Sequence, residues 1–339
     1  MSYTNSISQQ GPVGSGFNAA STTEDVINGI DLSGKTAIIT GGYAGIGLQT
    51  TKTFIEAGAT VIVPARDLRK AAASLSGLEN VEIAYMDLMD PLSINEFAKQ
   101  FLSSGRPLHL LINNAGIMWV PLRRDARGYE SQLSTNHLGH FQLTAALWLA
   151  LKQAQGARVI NVSSWGHHFG PFNFEDPNFV SREYETLLGY GQSKTANILF
   201  SLELDKRAKQ YDVRSFSLHP GAIVETDLKR YLSKEQLIKI GVYDSNGNVL
   251  HNPDMGMKTI SQGASTTVWA ATSPQLNGLG GLYCENTDVA QIDNTTNDFK
   301  ELNSLDLPGG VTPYAIDPAT AVRLWDVSEQ LTGIKFEIK

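Results

Sequence analysis

Short apolar runs separated by amphipathic stretches set the rhythm of this chain. Ala37 to Thr40, Val61 to Val63, Val81 to Tyr85, Leu108 to Ile112, Val159 to Val162 and Val213 to Leu218 are runs of this kind. Their nearly continuous apolarity suits strands covered on both faces, as in a parallel sheet. Between the first two, Leu48, Thr51, Phe54 and Ile55 recur at helical spacing and Gly58 supplies a stop. Asp90-Pro91 reads as the cap and first-turn proline of another helix. Because parallel strands need crossovers, repetition of this alternation to about residue 220 predicts an α/β fold. That fold is a single domain, a doubly wound, mostly parallel sheet with helices on both faces.

The flanks read differently. Residues 1–29 are rich in Ser, Thr, Asn, Gln and Gly, which predicts a flexible extension ahead of a domain spanning 30–339. Residues 227–258 carry only a short amphipathic piece around Leu232 to Ile240 and are expected to form a mobile lid over substrate. Helical patterns return at Ala264 to Ala271 and at Ala321 to Leu331, where Ala321, Leu324, Trp325, Ser328 and Leu331 line one side.

Composition narrows the class. With 42% hydrophobic and 18% charged residues, the 339-residue chain has the make-up of an ordinary globular protein. A net charge of −7 and the lack of any Lys/Arg block remove the footprint of a nucleic-acid or anionic-membrane binder. Its single cysteine, Cys284, excludes an intramolecular disulfide and argues against a Cys-based zinc site. The first 34 residues hold no Lys or Arg, unlike a signal or transit peptide, and no apolar run approaches the roughly 18 residues of a spanning helix. The expectation is a cytoplasmic protein with no membrane span and no metal.

The first strand runs into Thr40-Gly41-Gly42-Tyr43-Ala44-Gly45-Ile46-Gly47. Glycines let backbone approach a diphosphate, and a helix N-terminus presents unpaired N–H groups to its charge. A tight strand-to-helix turn also needs glycine for steric reasons alone. The spacing Gly41-x-x-x-Gly45-x-Gly47 resembles that of the short-chain dehydrogenase/reductase family, and further matches follow in order. They are Asp87-Leu88, Asn113-Asn114-Ala115-Gly116, Asn136 within Asn136-His137-Leu138-Gly139-His140-Phe141, Ser163-Ser164, Tyr190-Gly191-Gln192-Ser193-Lys194, and His219-Pro220-Gly221 with Thr226 beyond. Together with Arg323-Leu324-Trp325-Asp326-Val327-Ser328, they are similar to the retinol dehydrogenase and WW-domain oxidoreductase branch. Many members of that branch carry an apolar N-terminal anchor, where this chain has its polar extension.

The resemblance implies a Rossmann-like fold and an oxidoreductase that interconverts an alcohol and a carbonyl, on a small molecule with a sizeable apolar part. Hydride passes to or from a nicotinamide. Tyr190 and Lys194, at i and i+4, share a helix face, so an ammonium there is expected to lower the phenol's usual pKa of about 10 and make Tyr190 the acid/base. By resemblance, Lys194 also holds the nicotinamide ribose, Ser164 bonds the reacting oxygen and Asn136 supports a water leading to the lysine. Ser163 is left to contact cofactor or to cap the strand. The cofactor set implied is Gly41, Tyr43, Gly45, Ile46, Gly47, Asp87, Leu88, Asn114, Ala115, Gly116, Tyr190, Lys194, Pro220, Gly221 and Thr226, with Asp87 either at the adenine amino group or merely capping a turn. The second strand ends in Ala65-Arg66, without the acid that NAD-preferring relatives set against the ribose. Arg66 offers a forked donor to a 2′-phosphate, so the cofactor expected is NADP(H). His137, His140, His167 and His168 fit packing or substrate-side hydrogen bonding better than a metal site. Trp165, Phe169, Phe172, Phe174, Phe179 and Tyr184 either wall a substrate pocket or pack the insertion down. The alternative from another class is a nucleotide-binding regulator without turnover. Subunit number is not legible.

Overall fold

The computed structural model describes residues 10–223, 250–295 and 309–339, with Glu225, Glu235, Ile238 and Asp244 individually. Each of the six apolar runs forms a strand: β1 Thr36–Ile39, β2 Thr60–Ala65, β3 Val81–Tyr85, β4 Leu110–Asn113, β5 Ala157–Val162 and β6 Val213–His219. Two short strands follow, β7 Ala222–Ile223 and β8 Met257–Lys258, then β9 Leu282–Glu285 and β10 Asp288–Val289. The main sheet has eight strands in the order β10-β9-β6-β5-β4-β1-β2-β3, and β7 and β8 pair separately as a parallel ribbon. All pairs in the main sheet are parallel except β9 with β10. The fold is a Rossmann-like doubly wound sheet. Its strand order reverses between β1 and β4, which opens a crevice at their C-terminal ends, where ligands of such sheets bind.

The core lies on both faces. On one side Phe141, Phe200, Trp325 and Phe336 pack among the helices Gly139–Ala146, Thr186–Ala208 and Pro318–Thr332. On the other, Phe54 and Trp269 sit under the helices Gly45–Glu56 and Ile260–Thr272. β1, β4 and β5 are buried at every position, as their composition requires. β3 departs from that pattern: it is the sheet edge, and Ile83 and Tyr85 are exposed. Asp90 caps the helix Pro91–Ser103 by accepting the Leu92 N–H.

The N-terminal segment also differs from the flexible extension expected of it. From Gln10 onward the chain is docked. The Gln10 amide donates to the carbonyls of Tyr283 and Ala290 and accepts the Tyr283 N–H. The Asp288 carboxylate accepts the N–H groups of Val13, Gly14 and Ser15 at 2.9 to 3.1 Å. The short helix Thr23–Ile27 then begins with a capping box between Thr22 and Asp25. Asp288 of the β9–β10 hairpin and Gln10 of the segment supply the docking bonds, and further on Ala19 and Val26 are buried while Phe17 and Ile27 pack against the core. Residues 1–9 and most of the expected lid over 227–258 lie outside the described residues.

Candidate active site

The glycine-rich turn joins β1 to the helix Gly45–Glu56 at the crevice. Gly41 and Gly45 hold φ of +67° and +52°, and a Cβ on Gly47 would overlap the Gly41 carbonyl oxygen, so the turn closes only with glycine. Thr40 ties it to the end of β4. Its Oγ1 accepts the N–H groups of Asn114 and Ala115 at 2.9 Å each, and the Asn114 amide donates to the Thr40 carbonyl. His140 Nδ1 lies 3.0 Å from the Asn136 carbonyl, which can only accept, so that nitrogen carries the proton and Nε2 accepts from Thr40 Oγ1 at 2.9 Å.

Asn136 sits in a π-helical turn, Ser134–Leu138, a local widening found often at functional sites. Its amide oxygen accepts the Ile117 N–H, and its nitrogen donates to the Ile117 carbonyl and to Ser193 Oγ. A Cβ on Gly116 would stand 3.3 Å from Asn136 Oδ1 and 3.4 Å from Lys194 Nζ, so these three residues meet. Lys194 is buried, donates to the Val162 carbonyl at 3.0 Å, and has its ammonium 5.6 Å from the Tyr190 ring centroid. The Tyr190 phenol hydrogen-bonds the side chain of Ser164, whose Oγ also accepts the Gly166 N–H. Gly166 has no room for a side chain because the Tyr190 ring lies against it.

The electrostatics differ from the expectation of a lowered phenol. Burial pushes Tyr190 up to about 12, opposed by the Ser164 bond, and burial pulls Lys194 down to about 7. An ammonium that is itself desolvated loses its charge readily and so gives the phenol little help. Ser163 is buried beside the helix Thr186–Ala208. Its Oγ donates to the Lys194 carbonyl at 2.8 Å and pins the helix bearing Tyr190 and Lys194 to β5.

At the other end of the crevice, Arg66 follows β2 with a side chain 68% exposed, its guanidinium 4.0 Å from Asp87. Asp87 caps a turn by accepting the Met89 N–H, and Leu88 is buried against Gly139. Pro220 and Gly221 follow β6, with Gly221 at φ +92°. Thr226 lies outside the described residues. The glycine turn, Arg66, Gly116 and Lys194 thus lie along the strand ends, and the glycines leave backbone open to the approach of a dinucleotide.

A sequence profile described as short chain dehydrogenase matches residues 35–237. The chain belongs to the short-chain dehydrogenase family. It is 40% identical over 304 residues to a Streptomyces antibioticus protein named "Probable oxidoreductase", covering 88% of this chain and 97% of that one. It is 36% identical over 317 residues to human retinol dehydrogenase 12, covering 91% and 89%. A Mycobacterium paratuberculosis protein of solved crystal structure superposes with a TM-score of 0.69 at 32% identity, over 94% of this chain and 99% of that one. These likenesses place this short-chain dehydrogenase in the retinol dehydrogenase-like branch, oxidoreductases that act on small molecules with a nicotinamide cofactor.

The remaining candidates of this short-chain dehydrogenase are the histidines and the aromatics of the insertion. His137 contacts Ser328 Oγ at 2.7 Å, and His168 stacks on Trp165 and lies 3.2 Å from Asp293. His167 donates from Nδ1 to the Ser164 carbonyl at 2.8 Å and accepts the Thr312 N–H at Nε2, so it clamps the segment carrying Ser164. Among the described residues no group of three His, Cys, Asp or Glu is placed to hold a metal. Of the six aromatics, Phe172 packs edge-on against Phe174, and Phe179 against Tyr184, while Phe169, Phe172 and Phe174 also line a cavity of about 470 Å³. No helix among the described residues is long and apolar enough to cross a membrane. Two site features escaped sequence reasoning: the clamp at His167, and Lys258, a lysine only 1% exposed beside Gly221.

Proposed function

We propose that this short-chain dehydrogenase is an NADP(H)-dependent enzyme that interconverts a carbonyl and an alcohol. The observation that carries the reading is the meeting of Ser164, Tyr190, Lys194 and Asn136 at the end of β5, in the same crevice as the glycine turn. The bound nicotinamide supplies or takes up the hydride. Ser164 and the Tyr190 phenol donate to the carbonyl oxygen, and the phenol proton passes to that oxygen as it becomes an alkoxide. A phenol that burial holds neutral is a donor at any working pH in the reduction direction. Lys194, fixed by Val162, holds the nicotinamide ribose, and Asn136 and Gly116 adjoin its amine.

Gly41, Tyr43, Gly45, Ile46 and Gly47 cradle the diphosphate, Asp87, Leu88, Asn114, Ala115 and Gly116 border the adenosine, and Pro220 and Gly221 border the nicotinamide. Arg66, exposed and at the edge of a strand end lacking an acid, carries the preference for NADP. Its similarity to a protein named for retinol supports a substrate with a sizeable apolar part. The test is equilibrium binding of NADPH and NADH to wild type and Arg66→Ala. A charge-assisted hydrogen bond contributes about 1.5 to 3 kcal/mol, so NADPH should weaken roughly ten- to more than a hundredfold while NADH is spared. Equal losses, or a wild type that prefers NADH, would overturn the assignment.

A further inference from the structure

Lys258 ends the β7–β8 ribbon, with its Cα opposite Ile223. Its side chain runs across the nicotinamide-end turn: a Cβ on Gly221 would meet Lys258 Cδ at 2.8 Å and Cγ at 3.1 Å. The residue is 1% exposed, yet among the described residues its Nζ has no hydrogen-bond partner. Among the described residues, Glu285 at the end of β9 favours its charge through space without reaching ion-pair distance, and the lysine in turn disfavours a charge on His219 at the end of β6. Burial pulls the lysine down to about 8, and Glu285 works against that shift. An ammonium out of water and without an acceptor is costly, and an anionic ligand brought beside it would relieve that cost.

The ribbon flanks the glycine-rich turn. A Cβ on Gly263 would touch both Ile223 of the ribbon and Ile46 of the turn, so these two side chains adjoin. Thr40 to Gly47 contains no Lys or Arg, and a diphosphate brings about two negative charges, more than a helix N-terminus offsets. We propose that Lys258 is a cofactor-binding residue that takes an oxygen of the nicotinamide-side phosphate, with Gly221 kept free of a side chain to let the lysine stem pass. The inference rests on the reading that a nicotinamide dinucleotide lies along these strand ends, and it is independent of whether that cofactor is NADP or NAD.

Equilibrium binding to wild type and Lys258→Met tests it, since methionine keeps much of the stem and removes the charge. The probes are NADPH, NADH, 2′-phospho-ADP-ribose, adenosine 2′,5′-bisphosphate and inorganic phosphate. NADPH, NADH and 2′-phospho-ADP-ribose should each weaken about ten- to a hundredfold, while adenosine 2′,5′-bisphosphate, which lacks the second phosphate, keeps its wild-type affinity. Arg66→Ala should show the opposite pattern, losing the bisphosphate and sparing NADH. Lys258→Arg should recover most of the loss. In the wild type, an NMR titration of the Lys258 side chain should show its pKa rising when 2′-phospho-ADP-ribose binds, a readout that needs no variant to fold. Wild-type affinities in Lys258→Met, an equal loss for the bisphosphate, or a lysine whose titration ignores the ligand would overturn the proposal. Competition by inorganic phosphate alone, with no effect on the dinucleotides, would reduce Lys258 to an adventitious ion site and reject it too. A wild type that binds no dinucleotide would instead defeat the reading of the crevice itself.

Discussion

Lys194 concentrates the residue-scale physics of the site. Its ammonium is buried, holds one carbonyl at 3.0 Å, and is pulled by desolvation down to about 7 in the ligand-free protein. Its ordinary value is 10.5, so between about pH 7 and 10.5 the unfolded chain binds the proton that the folded one has released. Stability contributed at this position therefore rises with pH through that window. The urea midpoint of wild type minus that of Lys194→Met should move in favour of wild type between pH 6.5 and 9.5, below the range where the raised Tyr190 phenol begins to matter. A difference that stays flat would mean that Lys194 is not desolvated. Tyr190, Lys194 and Ser164 were legible in the sequence because their spacing and neighbours form an ordered set. The sign of the phenol's shift was not, since i and i+4 spacing announces that two groups adjoin and says nothing of how much water each retains. Lys258 was invisible for a related reason: a lysine reads as a solvated charge until the fold is seen to close over it.

At the scale of the element, the helix Thr186–Ala208 and the π turn at Ser134–Leu138 bring Tyr190, Lys194 and Asn136 together. Ser163 pins the helix from below, and His167 clamps the segment that carries Ser164. The π turn left no trace in the sequence, because Ser-Thr-Asn-His-Leu carries no periodicity distinct from that of the flanking helix. The N-terminal strap misled for the opposite reason. Its polar composition predicts that it buries little apolar area, yet hydrogen bonds to Asp288 and through Gln10 fasten it and its few apolar residues, Phe17, Ala19 and Val26, find the core. Asp288→Ala removes acceptors from three successive backbone N–H groups. Amide hydrogen exchange at Val13, Gly14 and Ser15 should accelerate at least tenfold, while exchange along the buried β5 stays as in wild type. Unchanged exchange at those three amides would show that the strap is held by something other than this carboxylate.

Across the whole molecule, the sheet was the most readable part, since strands buried on both faces write themselves as apolar runs. β9 and β10 were missed because Leu-Tyr-Cys-Glu and Asp-Val are short and follow a glycine-rich stretch, and β3 was taken for a covered strand although it forms the edge. What the sheet accomplishes is to set the crevice at the β1/β4 reversal, with Arg66 at one end, the glycine turn between, and Tyr190 with Lys194 at the other. The central claim is that this crevice carries out reduction by NADPH with Tyr190 as proton donor. The most direct test is NADPH oxidation by wild type and Tyr190→Phe against a panel of apolar aldehydes and ketones. Wild type should turn over, and the variant should lose about 10² to 10⁴ in rate while keeping its fold and NADPH affinity, because the change deletes a proton donor without emptying space. Near wild-type turnover by Tyr190→Phe where chemistry limits the rate would contradict it.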